Sequence, residues 1–535
     1  MAVTVAQALA RRLKAAGVKR VFGVPGGEVL DIIQALREAG VEFVLVRHEA
    51  AGAFMAGVSG RITGRPGACL ATLGPGAANM VLGVASARLD RCPLLAITGS
   101  LPTSLPETHT HQRLDIGALY RPITKATWVL GPRAAVETVD RALALAAAQP
   151  WGPVHLSVPR DLARLPVEAG KAPEVPAACP MGDLTAGEVA RLLSRARFPL
   201  AVVGLGADPE DAAAAAGFLE RQAIPFVVTP QAKGLIDERH PMFCGVAGGM
   251  AADGVMVELL ERADLVLGIG FEPSEVDQDW HQRLPVIWIQ DAPHACRRSL
   301  PPRCLARRFA AVARELQEML PAPPNWGWEA ETPSRVRDSL AERLEVPFDA
   351  SRRGRLSPVR VLRALRAALP EDAVMVTDVG AHKLLAGQAW RAFRPGTFFM
   401  SNGLSSMGFG LPAAIAASLE LPGRPVVALI GDGGMAMMMQ EVETAVRLAA
   451  PVTVVVLVDR CLALIRVSQE RRGLDRAGVD FGDIGFSACA RAMGAEGYAV
   501  QHEAELAPLL RRCAASGRPA VVEVPVDDGE YGRYL

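Results

Sequence analysis

Throughout the 535 residues, short runs of Val, Leu, Ile and Ala end in glycine-rich turns and give way to Ala-rich segments with apolar residues at helical spacing. That alternation leaves few architectures open. Strands that alternate with helices imply a mostly parallel, doubly wound sheet, with ligands at the carboxyl ends of its strands. In the first region VKRVFGVPG, VEFVLVRH, GACLATLGPG and PLLAITGS read as strands, and AQALARRLKAAG and VLDIIQALREAG as helices. A stretch rich in Pro and Ala, from Pro159 to Asp183, reads as a linker. A second α/β region follows with FPLAVVGLG, IPFVVTP, ADLVLGIGF and LPVIWIQDA. A second linker is expected from near Leu320, from PAPPNWGWEAETP to SRRGRLSP. The third region opens on Ser357-Pro358, a suitable N-cap and first-turn pair, and runs through VMVTDVG, RPVVALIGDGG, APVTVVVLVD and PAVVEVPVD. The expected fold class is therefore α/β, three doubly wound domains with parallel sheets, at residues 1–165, 184–320 and 355–535. The first and third are candidates to share one fold.

Composition supports this and removes several classes of function. Half the residues are hydrophobic, 21% are charged and only 5% aromatic, as suits strands covered on both faces. Lys+Arg and Asp+Glu each total 57, so the basic footprint of a nucleic-acid binder is missing. The positive charges in RRLKAAGVKR read as a solvated helix face. Nine cysteines (Cys69, Cys92, Cys179, Cys244, Cys296, Cys304, Cys461, Cys489 and Cys513) form no CxxC pair, and their odd number gives no disulfide framework. Reduced thiols of a cytosolic protein are the expectation. MAVTVAQALARRLK enters a helical pattern without a signal-peptide core, and VTVVVLV falls far short of the ~18 residues that span a bilayer. A soluble, cytoplasmic protein without nucleic-acid or membrane partners is expected.

The strongest chemical signal is VVALIGDGGMAMMMQEVETAVRLAAPVTVVVLVDRC. Asp432 ends one strand and Asp459, 27 residues later, ends the next, so in a parallel sheet the two carboxylates converge. Such hard oxygen ligands suit Mg2+, which keeps waters and bridges to phosphate oxygens. Gly433 and Gly434 let backbone N–H groups at a helix N-terminus approach a phosphate. A lone GDG triplet is usually just a turn; the second Asp at the right boundary separates this one from the rest. Glu49, in VLVRHEAAGAFMAG, sits where an apolar strand meets an Ala-rich helix. Read alone, it serves the helix dipole.

With these motifs the chain resembles the thiamine diphosphate enzyme superfamily, whose members carry GDG followed by a pair of Asn. Here Val458-Asp459 stands where that pair would fall. The resemblance implies Mg2+ held by Asp432, Asp459 and the main-chain carbonyl of Cys461, with Gly431, Gly433, Gly434 and Met435 around the diphosphate. It also gives Glu49 a task, because Arg47-His48-Glu49-Ala50-Ala51 with Phe54-Met55-Ala56 matches the family's catalytic Glu. That role asks for a carboxyl group in an apolar pocket, sharing a proton with N1′ of the cofactor pyrimidine. By the same resemblance Pro25, Gly26 and Asn79 (in TLGPGAAN), together with Gly380, Ala381 and His382 (in DVGAHK), lie near the cofactor. His382 alone reads equally as a core or surface histidine. In SNGLSSMGFGLPAA, Met407 would wedge the cofactor into a V shape and the Ser405 carbonyl would accept from its 4′-amino group. The implied domains are pyrimidine-binding, central and diphosphate-binding, and the implied assembly is a homodimer or homotetramer with its active site at a subunit interface.

Within the superfamily, THQRLDIGALYRPITK, IGFEPSEVDQDW, EVETAVRLAAPV and VDFGDI resemble the acetolactate synthase family (the acetohydroxyacid synthase large subunit), closest to its catabolic, flavin-independent type. That implies condensation of two 2-oxo acids, such as pyruvate, with loss of CO2, and places His111 and Gln112 at the active site from a loop. Two departures bear on substrate: Glu28 replaces the Lys of the flavin-independent branch, and Ser468 aligns with the Trp of biosynthetic members. GLGADPED lacks the third Gly of a dinucleotide fingerprint, so bound FAD is the less favoured reading. The rival readings are another thiamine diphosphate-dependent 2-oxo acid decarboxylase, lyase or acyltransferase, and a non-catalytic protein that retains the fold.

Overall fold

The computed structural model describes residues 2–106, 108–174, 182–291, 303–320, 323–345 and 355–535. Cys179 and Cys296 lie outside the described residues; the other seven cysteines form no disulfide. The chain forms three six-stranded sheets, and every strand pair recorded within them is parallel. No helix among the described residues is long and apolar enough to cross a membrane.

The first sheet comprises β1 (Arg20–Val24), β2 (Glu42–Leu45), β3 (Gly67–Ala71), β4 (Leu94–Ser100), β5 (Thr127–Val129) and β6 (Pro153–Pro159), in the order β2-β1-β3-β4-β6-β5. Strands β3 and β6 are buried along their whole length; β3 reads as an unbroken apolar run, whereas the buried His155 and Ser157 interrupt β6. The second sheet holds β7 (Pro199–Val203), β8 (Phe226–Val228), β9 (Phe243–Val246), β10 (Leu265–Ile269), β11 (Val286–Ile289) and β12 (Cys304–Leu305), ordered β12-β11-β10-β7-β8-β9. The third holds β13 (Val374–Thr377), β14 (Phe398–Met400), β15 (Val426–Gly431), β16 (Val452–Val458), β17 (Glu496–Ala499) and β18 (Ala520–Pro525), ordered β14-β13-β15-β16-β18-β17. Position for position, this is the strand order of the first sheet.

Two compact units result. One contains Met1–Ala177, Gly403–Gly423 and Met438–Ala450; the other contains Ala178–Asn402, Arg424–Met437 and Pro451–Leu535. Helix Gly410–Glu420 therefore belongs with the first sheet's helices, where the Phe409 ring before it meets Phe54 edge-on at 5.6 Å. The stretch expected as the second linker is partly folded. The indole N–H groups of Trp326 and Trp328 donate to the carbonyls of Gln222 and Pro199, and helix Thr332–Arg343 follows. Two large aromatic side chains gain more from burial than a linker could use.

In a doubly wound sheet the ligand crevice opens where the chain reverses its direction of strand addition. That point falls between β1 and β3, between β7 and β10, and between β13 and β15. The candidate residues cluster at the first and third of these points.

Candidate functional site

At the first sheet, β1 runs into Pro25-Gly26-Gly27-Glu28 and β3 into Thr72-Leu73-Gly74-Pro75-Gly76. A Cβ on Gly26 would lie 2.4 Å from Thr72 Oγ1, so only glycine allows the two turns to meet. The Thr72 hydroxyl donates to Glu28 Oε2 at 2.6 Å. Glu49, 9% exposed, is the first residue of helix Glu49–Thr63, and His48 caps that helix by accepting the Ala50 N–H on Nδ1 at 3.1 Å. From helix Pro75–Leu89, Asn79 Nδ2 donates to Glu49 Oε2 at 3.0 Å. The other carboxylate oxygen, Oε1, lies 3.2 Å from where a Cβ on Gly76 would stand. Gln112, with φ +55°, packs over Gly74, whose Cβ would lie 3.0 Å from that of Gln112. His111 stands exposed beside it, its ring edge-on to His109 at 6.5 Å. The structure thus brings Gly26, Glu49, Asn79 and Gln112 together around the Thr72–Gly76 turn, with Pro25 exposed beside Gly26.

The segment carrying Ser405 and Met407 is held by Asp90, whose Oδ1 accepts the Gly403 N–H at 2.7 Å. Ser405 has φ +51°, a left-handed conformation that a serine adopts at a cost. It is exposed, and Met407 is half-buried.

At the third sheet, Asp432 follows β15 and is 3% exposed. One of its oxygens accepts the Gly433 N–H at 2.8 Å; the other accepts those of Asp459 at 3.1 Å and Arg460 at 2.6 Å. The end of β16 is thereby tied to the end of β15. Asp459 Oδ1 in turn accepts the Cys461 N–H at 3.0 Å. Burial and the Asp432 charge push Asp459 up to about 7, and burial raises Asp432 as well. Burial also pushes the Cys461 thiol up to about 11, which disfavours its thiolate. No three His, Cys, Asp or Glu side chains cluster as a metal-binding set among the described residues.

His382, in helix Ala381–Ala389 after β13, packs its ring against two glycines. Its Cε1 lies 2.8 Å from where a Cβ on Gly380 would stand and 3.0 Å from one on Gly431. Burial lowers its pKa to about 4, and its Nε2 finds no hydrogen-bond partner among the described residues. A Cβ on Gly434 would lie 2.3 Å from Asp378 Oδ2. Gly380, Ala381, His382, Gly431, Asp432, Gly433, Gly434 and the buried Met435 all lie on the segments that follow β13 and β15 at this second crevice, with Asp459 and Cys461 next to it after β16.

The comparable place in the second sheet is filled from within. Glu275, 3% exposed, accepts the Leu205 N–H at 3.0 Å, the Thr229 hydroxyl at 2.5 Å and the Glu272 N–H at 3.2 Å. Burial pushes its pKa up to about 8.

Both crevices fall within segments that match known domains. Residues 3–119 match the N-terminal TPP binding domain of thiamine pyrophosphate enzymes, 186–311 their central domain and 378–524 their C-terminal TPP binding domain. The chain is 32% identical to an acetolactate synthase of Bacillus subtilis, over 96% of this chain and 91% of that one. The chain belongs to the thiamine pyrophosphate enzymes of the acetolactate synthase family. A catabolic acetolactate synthase of Raoultella terrigena is 31% identical, over 98% and 95% of the two chains. A "Probable 2-ketoarginine decarboxylase" of Pseudomonas aeruginosa is also 31% identical, over 92% and 88%.

In this member of the family, several residues around the candidate site carry no sequence signal of their own. Glu441 is fully buried; its Oε1 accepts the N–H groups of Arg47 and His48 at 2.9 and 3.0 Å, and Thr444 donates to its Oε2 at 2.7 Å. It fixes the turn that presents Glu49, from almost 400 residues along the chain. Burial holds its carboxyl above the usual range. Asp90 does comparable work for the Ser405 segment. EVETA resembled the family as a string; nothing in the string revealed which backbone its first Glu would hold.

Proposed function

We propose that the chain is an acetolactate synthase that joins two pyruvates into 2-acetolactate, releasing one CO2 and taking up one proton, with thiamine diphosphate and Mg2+ as cofactors. The observation that carries this is the pairing of two chemistries on two sheets of one strand order: a single amide-held carboxylate, Glu49, and a desolvated carboxylate pair, Asp432 and Asp459. The near full-length similarity to acetolactate synthases supports the choice of substrate.

When bound, thiamine diphosphate supplies the electron sink for the electrons left by departing CO2. The residues fit that group and its metal. Burial raises the pKa of both carboxylates, and the Asp432 charge raises that of Asp459 further; a cation beside them would relieve both, and oxygen donors of this kind suit Mg2+. Asp432, Asp459 and the carbonyl of Cys461 are the proposed ligands. Gly380, Ala381, Gly431, Gly433, Gly434 and Met435 line the diphosphate, where added Cβ atoms at Gly380, Gly431 or Gly434 would crowd the crevice. The buried Nε2 of His382, without a hydrogen-bond partner among the described residues, is available to donate there.

Glu49 gives and takes a proton at the pyrimidine N1′, and Pro25, Gly26, Ser405 and Met407 shape the space around that ring. Gln112, with His111 beside it, faces substrate from its loop. The proposed domains are 1–165, 184–320 and 355–535, in a cytoplasmic homodimer or homotetramer in which the active site lies between copies. The carboxylate of Glu275 occupies the middle sheet's crevice, which supports an enzyme that works without FAD.

The test is direct. Wild-type protein with pyruvate, thiamine diphosphate and Mg2+ is expected to form acetolactate, read as acetoin after acidification. Absence of acetoin with cofactor bound would remove acetolactate synthesis and leave the family membership intact.

A second reading is favoured by Glu28, a carboxylate fixed by Thr72 at the same crevice as Glu49. It disfavours a second anionic oxo acid and suits a substrate with a cationic end, in line with the name of the Pseudomonas relative. A panel of 2-oxo acids with neutral, anionic and guanidinium side chains, scored for CO2 release and for carboligation, separates the two readings.

A further inference from the structure

We propose that Asn79 is a positioning residue for Glu49: it ties down one carboxylate oxygen and leaves the other as the sole proton-carrying oxygen towards the cofactor. This rests on the reading of Glu49 as the group that shares a proton with the pyrimidine, and it assigns Asn79 a role through Glu49 in place of direct contact with cofactor.

The geometry is specific. Asn79 Nδ2 donates to Glu49 Oε2 at 3.0 Å, a contact between two side chains 30 residues apart on different helices. A carboxylate can only accept, so the amide must present its nitrogen, and this orientation needs no choice of flip. The two helices cannot slide to relax it. A Cβ on Gly83, one turn beyond Asn79, would lie 2.5 Å from Ala53 Cβ and 2.8 Å from the Ala50 carbonyl, so the backbones are in close contact. Tyr120 adds a brace on the same helix: its hydroxyl donates to the Ala77 carbonyl at 2.7 Å, and its ring stacks on His155 at 4.1 Å. His155 is itself held by Thr98 at 2.9 Å and Thr127 at 2.6 Å. Helix Pro75–Leu89 is thus a fixed platform from which one amide reaches one oxygen.

The space around the second oxygen is kept open. Glu49 Oε1 lies on the Gly76 side, where the absent Cβ would come within 3.2 Å of it. With Oε2 occupied by a donor, a proton on the carboxyl group resides on Oε1. The amide also selects one rotamer of a glutamate that otherwise has three torsions to fix, so the ring would meet a preset acceptor. An apolar residue at 79 would leave Oε2 unpaired in a buried setting and let the carboxyl rotate.

The experiment uses the complete protein with thiamine diphosphate and Mg2+, comparing wild type with Asn79→Ala, Asn79→Asp and Glu49→Gln. Asn79 is exposed, so neither substitution leaves a core cavity. Four quantities are read: cofactor affinity, the near-ultraviolet circular dichroism of the bound aminopyrimidine, deuterium exchange at the thiazolium C2, and kcat and KM for pyruvate. For Asn79→Ala, exchange and kcat are expected to fall about tenfold or more, the loss that removing a hydrogen bond to a charged group brings. KM and cofactor affinity should hold, and the dichroism band should change. Asn79→Asp, which sets a second carboxylate against the first, should fall further.

Wild-type exchange in cofactor-loaded Asn79→Ala would overturn the proposal. So would a loss confined to cofactor affinity, which would make Asn79 a cofactor contact. If Glu49→Gln itself exchanges at the wild-type rate, the reading of Glu49 fails first; if it abolishes exchange while Asn79→Ala does not slow it, only the role of Asn79 fails.

Discussion

The first and third sheets have the same strand order, and each opens its crevice between its first and third strands, yet they present opposite chemistries there. At the first crevice each carboxylate has its own side-chain donor: Glu49, at a helix N-terminus after β2, is matched to an amide, and Glu28, after β1, to the Thr72 hydroxyl. After β15 and β16 the third sheet's crevice holds two carboxylates on turns, each bonded to backbone N–H groups and each raised by burial. A carboxylate paired with a side-chain donor is equipped to move a proton, whereas two carboxylates desolvated together are equipped to bind a cation. Topology decides where a ligand sits, and the residues in the few positions after each strand decide what it is. The second sheet is the control: its crevice is filled by its own Glu275.

If the third sheet holds the cofactor, Asp432→Ala should cause the largest loss in binding, weakening thiamine diphosphate affinity about a hundredfold or more in the presence of Mg2+. Titration followed by fluorescence quenching measures it; unchanged affinity would break the comparison at its metal-binding end. Gly434→Ala should weaken cofactor binding about tenfold and cost about 1–3 kcal/mol of stability, because its Cβ would meet Asp378 Oδ2 at 2.3 Å. Calorimetry and the same titration check both effects. Gly76→Ala, at the matching place in the first sheet, should instead lower kcat severalfold and leave cofactor affinity alone, since its Cβ would press on Glu49 Oε1 at 3.2 Å and on Thr72 Cγ2 at 2.9 Å. If both glycine variants failed in the same step, the two crevices would not differ as described.

The smallest effect belongs to the second sheet. Glu275 has its pKa raised from 4.5 to about 8, so between those values the folded protein keeps a proton that the unfolded chain releases. Its contribution to stability is therefore lost as pH rises through that window. Urea unfolding midpoints of wild type should fall across it more steeply than those of Glu275→Gln, which has no proton to keep.

Much of this was legible in the sequence because it depends on neighbours in the chain. Buried parallel strands read as unbroken apolar runs, and Asp432 and Asp459 were visible because each directly follows one. The short strands β5, β9, β12, β14 and β17 gave little signal. All lie at sheet edges, and β5 and β17 are only half covered, so burial leaves little imprint on their composition. What stayed hidden were partners distant in sequence. TLGPGAAN marked Asn79 as belonging near the cofactor, and only the packing of two helices at Gly83 aims it at Glu49. The hold of Glu441 on Arg47 and His48 likewise depends on segment Met438–Ala450 joining the first unit. The Pro-rich stretch around Trp326 looked like a linker because indole burial leaves no periodic pattern.

The central claim is that the first sheet's carboxylate activates a cofactor held by the third. Deuterium exchange at C2 of thiamine diphosphate bound to Glu49→Gln, at saturating cofactor, tests it most directly. Exchange should slow about a hundredfold or more while cofactor affinity stays near that of wild type. Exchange at the wild-type rate with cofactor fully bound would contradict the claim.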